Sequence, residues 1–347
     1  MLRKLILTLL VSYYSASLLA QLPNPLTLEK DRQFDFWVGE WDVNLRIKQP
    51  DQQWLDQVKS QAKIYLINDG RAVLELWNDL RPTGIKGFSL RYYDFQKEKW
   101  VLWLNWPGPN ASGMSSLEGE FRHGRGEFFS GKGDTLTRYS FSDITPYSLR
   151  WDDAFTKDGG KTWTHGWIME FTRTQQEPDW PSGTQGHTYD QGGRCNLPAF
   201  DAFRGLVGDW EGEVREKQGS AWKTGKASLN GFEVLAGCAV LNFMTTEVEG
   251  ETAKEFSIKT YNTYAKKLTD GRLGSADTDI MRQYFTDFKE GNKYSLTEFD
   301  QQNEQSILRK YDWDLSQENQ VQLVVSEKAK GTNEDWQKVK EVLLKKK

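Results

Sequence analysis

The chain is poor in the residues that most enzymes and metal proteins rely on. Among its 347 residues are only two cysteines and three histidines. Both cysteines, Cys195 and Cys238, lie in the second half with no clustered histidine, which excludes a zinc site. His123, His165 and His187 stand apart from any serine or cysteine in a nucleophile context, so a hydrolytic triad has no support. No glycine-rich loop opens a helix to cradle a phosphate. Basic tracts are missing as well: the net charge is −4 with both signs interspersed, which argues against tracking a nucleic-acid backbone. The apolar run Leu5 to Val11 is too short for a bilayer core of about 30 Å, so no transmembrane segment is expected in the mature chain. Helical periodicity is nearly absent; only 29–38 and 200–207 suit a short helix.

The same apolar run has a better reading. Arg3 and Lys4 precede it, small residues Ser15, Ala16 and Ser17 follow, and Ala20-Gln21 offers a cleavage point. Residues 1–20 therefore read as a signal peptide, and the protein as exported, periplasmic or secreted. No cysteine near the cleavage point invites a lipid anchor. In an oxidising compartment Cys195 and Cys238 can either pair or remain two thiols. A bridge between them would contribute roughly 4 kcal/mol in the chain-entropy model.

What the chain has in abundance is itself. Trp37-Val38-Gly39-Glu40-Trp41-Asp42-Val43 returns as Leu206-Val207-Gly208-Asp209-Trp210-Glu211-Gly212. Phe88-Ser89-Leu90-Arg91 returns as Phe256-Ser257-Ile258-Lys259. Gly39 recurs 169 positions on as Gly208, Phe88 recurs 168 on as Phe256, and Phe121 recurs 167 on as Phe288. A near-constant offset over that span means two copies of one domain. Repeat one is placed at 30–174, a Gln-, Pro- and Gly-rich linker at 175–198, and repeat two at 199–347.

Both copies read as β. Phe88, Leu90 and Tyr92 alternate with Ser89, Arg91 and Tyr93, and Tyr139 and Phe141 with Arg138 and Ser140. Asn68-Asp69-Gly70, His123-Gly124-Arg125-Gly126 and Asp158-Gly159-Gly160 supply turns between such runs. Many short strands with exposed edges favour closure, so the expected fold is all-β, two tandem antiparallel barrels.

The Gly-x-Trp at the start of each repeat, Gly39-Glu40-Trp41 and Gly208-Asp209-Trp210, resembles the lipocalin and wider calycin signature. Arg173 fits the basic position that closes the last strand of repeat one, and repeat two offers only its terminal lysines. The longer string Phe34-Asp35-Phe36-Trp37-Val38-Gly39-Glu40-Trp41-Asp42 is similar to that of an uncharacterised bacterial family placed among calycin-like barrels. The resemblance implies that Trp41 and Trp210 plug one end of each barrel, a guanidinium stacked on the indole adding about 0.5–2 kcal/mol. Thr156 to Trp163 resembles the Asp-box hairpin of sialidases, in which the aspartate holds a turn and takes no part in catalysis.

Function is expected where the copies differ. Ten of the fifteen tryptophans lie between Trp37 and Trp167, and repeat two holds four. An aromatic-lined cavity in repeat one for a small apolar or aromatic molecule is the leading expectation, with Trp100, Trp103, Trp151, Trp163, His165 and Trp167 as its residues. By strict alternation Trp163, His165, Trp167, Met169 and Phe171 share one face. An interior His165 resembles the proximal histidine of nitrobindin and would imply haem, although Lys338 stands opposite it in repeat two. An enzyme would need an interior acid, for which Glu75 and Asp152 are the candidates. A structural or envelope-interaction protein without a ligand is the remaining alternative, and the oligomeric state stays open.

Overall fold

A computed structural model describes residues 28–81, 84–107, 113–179, 201–276, 279–287, 292–298 and 306–347. The segment read from sequence as a signal peptide, Cys195 and most of the stretch read as a linker lie outside the described residues. Among the described residues no helix is long and apolar enough to cross a membrane.

Repeat one contains β1 (Gly39–Lys48), β2 (Trp54–Ile67), β3 (Ala72–Asp79), β4 (Lys86–Asp94), β5 (Lys99–Asn105), β6 (Ser115–Arg122), β7 (Arg125–Lys132), β8 (Thr135–Ser142), β9 (Ser148–Thr156) and β10 (Thr164–Gln175). Repeat two contains β11 (Gly208–Gln218), β12 (Ala221–Val234), β13 (Ala239–Val248), β14 (Glu251–Asn262), β15 (Lys267–Gly274), β16 (Arg282–Asp287), β17 (Lys293–Glu298), β18 (Ile307–Gln317), β19 (Gln320–Ala329) and β20 (Gln337–Lys346). Each set runs up and down and closes on itself, β1 against β10 and β11 against β20. The fold is therefore two tandem closed antiparallel barrels, and closure leaves neither sheet an edge. Hairpins form where the chain tolerates left-handed backbone: Asn68, Asp69 and Gly70, with φ of 50°, 56° and 86°, reverse it between β2 and β3.

Each barrel is plugged by the segment that precedes it. In repeat one the short 3-10 turn Asp35–Trp37 carries Phe36 and Trp37 inward, and Phe34 sits among Trp100, Phe121, Phe128 and Phe141. Trp41 donates its indole N–H to Trp37 O at 2.8 Å, and the Arg173 guanidinium lies 4.0 Å over the Trp41 ring. That guanidinium also donates to Val38 O at 2.5 Å, to Pro146 O at 2.7 Å and to Phe36 O. In repeat two Trp210 donates to Leu206 O at 3.3 Å, and the Lys346 ammonium stands 5.5 Å from its ring. An ammonium is a point charge and cannot bridge several carbonyls as the planar fork does.

The barrels dock through their outer walls. Ile67, Leu74, Leu90, Tyr92 and Trp103 of barrel one form one buried apolar cluster with Val234, Leu241, Phe256, Ile258 and Leu273 of barrel two. The same strands serve in both copies, since Phe88 and Leu90 on β4 correspond to Phe256 and Ile258 on β14. The contact is thus pseudo-isologous, as in a two-fold dimer. Its rim is polar: Asn68 Nδ2 donates to Leu273 O at 2.8 Å, and Arg71 donates to the carbonyls of Ala276 and Asp279 at 3.2 and 2.8 Å. Cys238 lies in this interface and is engaged in a disulfide, its thiol not free.

Gly39 has φ 136°, and a Cβ there would stand 2.3 Å from Arg173 Nη1 and 2.5 Å from Gln175 O. Gly208 has φ 119° but its Cβ would meet nothing nearer than Lys346 Cε, at 3.3 Å. Gly39→Ala is expected to cost about 3–5 kcal/mol from backbone strain plus steric clash, and Gly208→Ala about 1–2 kcal/mol from backbone strain. Thermal unfolding followed by circular dichroism checks this; equal losses in Tm would contradict the tighter closure of barrel one.

Candidate functional site

Alternation along β4 turns Ser89 and Arg91 into barrel one, while its neighbours Phe88 and Leu90 face the docked copy. On β3, Glu75 pairs across from Ser89 and so also points inward. Ser89 Oγ donates to Glu75 Oε2 at 2.5 Å, and Arg91 Nη2 lies 3.6 Å from the same oxygen. Arg91 is 3% exposed, and its guanidinium carbon sits 3.9 Å above the Trp37 ring. Its Nε and Nη1 are buried with no hydrogen-bond partner. Burial pushes the Arg91 pKa down to about 10, against the pull of Glu75, so it stays charged at neutral pH. Burial pushes the Glu75 carboxyl up from its ordinary value, and Arg91 and Ser89 offset only part of that.

These groups border a cavity of about 50 Å³, walled by Trp77, Leu102, Leu104, Tyr139, Trp151 and Phe171. It opens at the end opposite Trp41, where the half-buried Trp106 and Trp167 meet at 6.2 Å between ring centroids. The space suits a few heavy atoms.

Of the six residues nominated from sequence, Trp151 lines this cavity, and Trp167 packs on two of its walls, Trp77 and Trp106. Trp100 is buried at the plugged end, donating to Lys30 O at 2.9 Å. Trp103 faces the other way, into the interface between barrels. The shared face read along β10 is broken. His165 pairs with Ala154 and Ile168 with Asp152, so Gly166 and Trp167 together oppose Asp153. The Asp153 carboxylate holds this bulge by accepting both N–H groups, at 2.9 and 2.6 Å. Beyond it Trp167, Met169 and Phe171 turn inward. Before it, Trp163 and His165 lie on the outer wall: Arg138 stacks 4.6 Å over Trp163, and His165 Nδ1 approaches Asp152 Oδ1 at 3.2 Å. Asp152 follows the cavity residue Trp151 and so points outward with His165. Of the two candidate acids, Glu75 is the interior one. The turn before β10 is held by Asp158, which accepts from Thr162 N at 2.9 Å and from the hydroxyls of Thr156 and Thr162 at 2.6 Å; these bonds draw its pKa down to about 2.

Reading by residue type missed Arg91, although its signal was present. The repeat conserves a cation at the inward position of that strand, Arg91 in one copy and Lys259 in the other.

Barrel two has a different interior on the same frame. Register puts Asn242 where barrel one has Glu75, Asp270 where it has Leu102, and Arg272 where it has Leu104. Lys259 Nζ lies 3.4 Å from Asp270 Oδ2 and donates to Ser257 Oγ at 2.7 Å. Arg272 meets Asp270 at 2.9 Å, pairs with Glu255, and stacks 3.8 Å over Tyr311. Burial draws the Lys259 pKa down to about 8, with Asp270 opposing it. Above this layer a basin of about 440 Å³ opens at the barrel mouth.

No protein-family model and no curated protein matches the chain. Among solved structures the chain is similar to the S-type phycobiliprotein lyase CPES from Guillardia theta, at 14% identity over 41% of this chain and 90% of that one, with a TM-score of 0.31. It is also similar to a protein of unknown function of the DUF3598 family from Nostoc punctiforme, at 12% identity over 90% of this chain and 97% of that one, with a TM-score of 0.27.

A haem does not fit barrel one. The cavity is far smaller than a porphyrin, and His165 is on the outer wall, turned toward Asp152. Among the described residues no group of three or more His, Cys, Asp or Glu side chains could hold a metal ion. Hemin added to the wild type and to His165→Ala is expected to give superimposable spectra; a Soret shift lost in the variant would reverse this reading.

The buried Glu75–Arg91 pair has a pH signature. Arg91→Met removes the cation, and the Glu75 pKa then rises further. Between the unfolded value near 4.5 and that raised value, the native state holds a proton that the unfolded chain releases, so stability falls as pH rises through this window. Arg91→Met is expected to lose about 3–5 kcal/mol relative to wild type at pH 7.5 and to recover much of it toward pH 5. Urea unfolding at both pH values checks the sign, and the Glu75→Gln/Arg91→Met double variant should lose the recovery.

Proposed function

We propose that the protein is an exported binding protein whose first barrel holds a small apolar or aromatic molecule carrying one oxygen acceptor. The observation behind this is Arg91. A charged guanidinium with two buried, unpartnered nitrogens at an aromatic-lined cavity is costly, each unmet donor forfeiting about 1–3 kcal/mol. A carboxylate or carbonyl oxygen from a ligand satisfies those donors, while Trp77, Tyr139 and Trp151 pack on its apolar body. At about 50 Å³ the cavity admits the acceptor end of such a molecule, and a ring follows if Trp106 and Trp167 swing outward. The N-terminal segment and the disulfide at Cys238 support export, because structural disulfides persist in oxidising compartments.

A ligand-free scaffold is the second reading, and the small size of the cavity favours it. Native mass spectrometry of protein purified from its own cell envelope, before and after denaturation, separates the two. Binding predicts a co-purifying small molecule. It also predicts saturable quenching of tryptophan fluorescence by benzoate, weakened at least tenfold in Arg91→Met. An empty protein that benzoate leaves unquenched is the result expected of the scaffold.

A further inference from the structure

The polar atoms around the cavity of barrel one are of one kind. Arg91 Nε and Nη1, Trp37 Nε1 and Trp77 Nε1 are buried without a hydrogen-bond partner, and all four are donors. Among the described residues no side chain lining the cavity has a buried acceptor left unmet. A ligand that completes this wall therefore brings acceptors. It meets a single cation, Arg91, because the other charged side chain of the lining is Glu75. One guanidinium calls for one negative charge, and a space of about 50 Å³ suits a flat carboxylate better than a tetrahedral phosphate with its further charge.

Glu75 already draws on that guanidinium, with Oε2 3.6 Å from Arg91 Nη2. A ligand carboxylate at Nε or Nη1 places a second anion on the same cation, inside a wall of tryptophans and leucines. Two carboxylates that share one site do not both stay ionised; one pKa is strongly raised. Glu75 is the carboxyl prepared to take the proton. Burial already pushes its pKa up, and Ser89 Oγ, 2.5 Å from Oε2, can turn from donor to acceptor once the carboxyl is protonated. Its other neighbours leave the proton to it. Tyr139, the remaining titratable group of the lining, is held neutral by burial, with Asp153 adding to the effect. Asp153 itself is engaged at the bulge by the N–H groups of Gly166 and Trp167. On β2 the residue across from Glu75 is Ile64, and β5, β9 and β10 present Leu102, Trp151 and Met169.

Resting on the binding reading above, we propose that the ligand of barrel one is a small aromatic carboxylic acid, held with its carboxylate on Arg91 and its proton on Glu75. Anion and proton enter from solvent in equal numbers, and the one bond formed is the O–H of Glu75. The site therefore captures the acid at low pH and releases it as pH rises through the window in which free Glu75 is ionised.

Benzoate tests this on the full chain, with tryptophan quenching followed from pH 5.5 to 8.5 and titration calorimetry in two buffers of different ionisation enthalpy to count protons. Uptake of close to one proton per benzoate is expected, with affinity falling by up to about tenfold per pH unit across that window. Glu75→Gln, neutral at every pH, should bind with a flat profile, without proton uptake, at the affinity the wild type reaches at low pH. Benzamide, uncharged on the same ring, should bind at least tenfold more weakly than benzoate at pH 5.5. A wild type that binds benzoate with a flat profile and no proton uptake overturns the proposal while the binding reading stands. Absence of saturable quenching at every pH overturns both. Proton uptake that persists in Glu75→Gln places the proton on another group and also overturns it, as does benzamide bound as tightly as benzoate. The wild-type proton count decides the matter even if the variant misfolds.

Discussion

Closure of the hydrogen-bonded ladder is the constraint on which the rest of this structure depends. Once β1 pairs with β10 and β11 with β20, every strand has two neighbours, and a one-residue slip would turn a whole hydrophobic set to the wrong face. Parity then decides where each side chain goes. On β4 it sends Ser89 and Arg91 into the barrel and Phe88, Leu90 and Tyr92 out of it. Three large apolar side chains on an outer wall need cover, and the matching wall of the second copy, with Phe256 and Ile258, supplies it. The docked pair is thus a consequence of the same alternation that builds each barrel.

With the frame and the docking wall held in common, the interiors were free to diverge. Barrel one isolates one ion pair, Glu75–Arg91, among tryptophans and leucines. Barrel two has Asn242 for Glu75, Asp270 for Leu102, Arg272 for Leu104 and Glu255 for Gly87, and so turns one buried ion pair into a layer of four charges. Burying a charged network is tolerable only when its members are nearly all paired. Lys259, Asp270, Arg272 and Glu255 meet that condition except at Arg272 Nε, which borders the basin. The polar layer keeps apolar side chains from filling the barrel above it. Barrel one, whose equivalent positions are leucines, is almost full.

The duplication, the β class, the hairpins and the division into two barrels were legible because each rests on local pattern: a constant offset, period-two alternation, and turn residues at Asn68-Asp69-Gly70 and Asp158-Gly159-Gly160. The placement of β10 was not. Strict alternation puts His165 beside Trp167, but the carboxylate of Asp153, thirteen residues earlier, captures two N–H groups and inserts a bulge at Gly166. A tertiary hydrogen bond of that kind leaves no mark on hydrophobic periodicity. Trp103 shows a different limit. The run Trp100 to Trp106 is apolar on both faces, the pattern of a strand buried on both sides, yet nothing in it says whether the second cover is ligand or protein. Here the cover is the other barrel.

The two plugs show how unequal copies can share one fold. Arg173 combines a stack on Trp41 with hydrogen bonds to three carbonyls of the plug and the neighbouring turn, so it ties β10 to the segment that enters β1. Lys346 has only a distant approach to Trp210, and barrel two is correspondingly looser at Gly208. Its stability must therefore lean more on its own apolar layer around Phe203, Leu206 and Val214 and on the docked wall of barrel one. That dependence runs through β13 and β14, the strands that also carry Met244, Thr246 and Glu255 to the basin. The wall that holds the copies together is also the back of the polar basin, so loss of docking would disturb the basin of barrel two before it disturbed the closed end of barrel one.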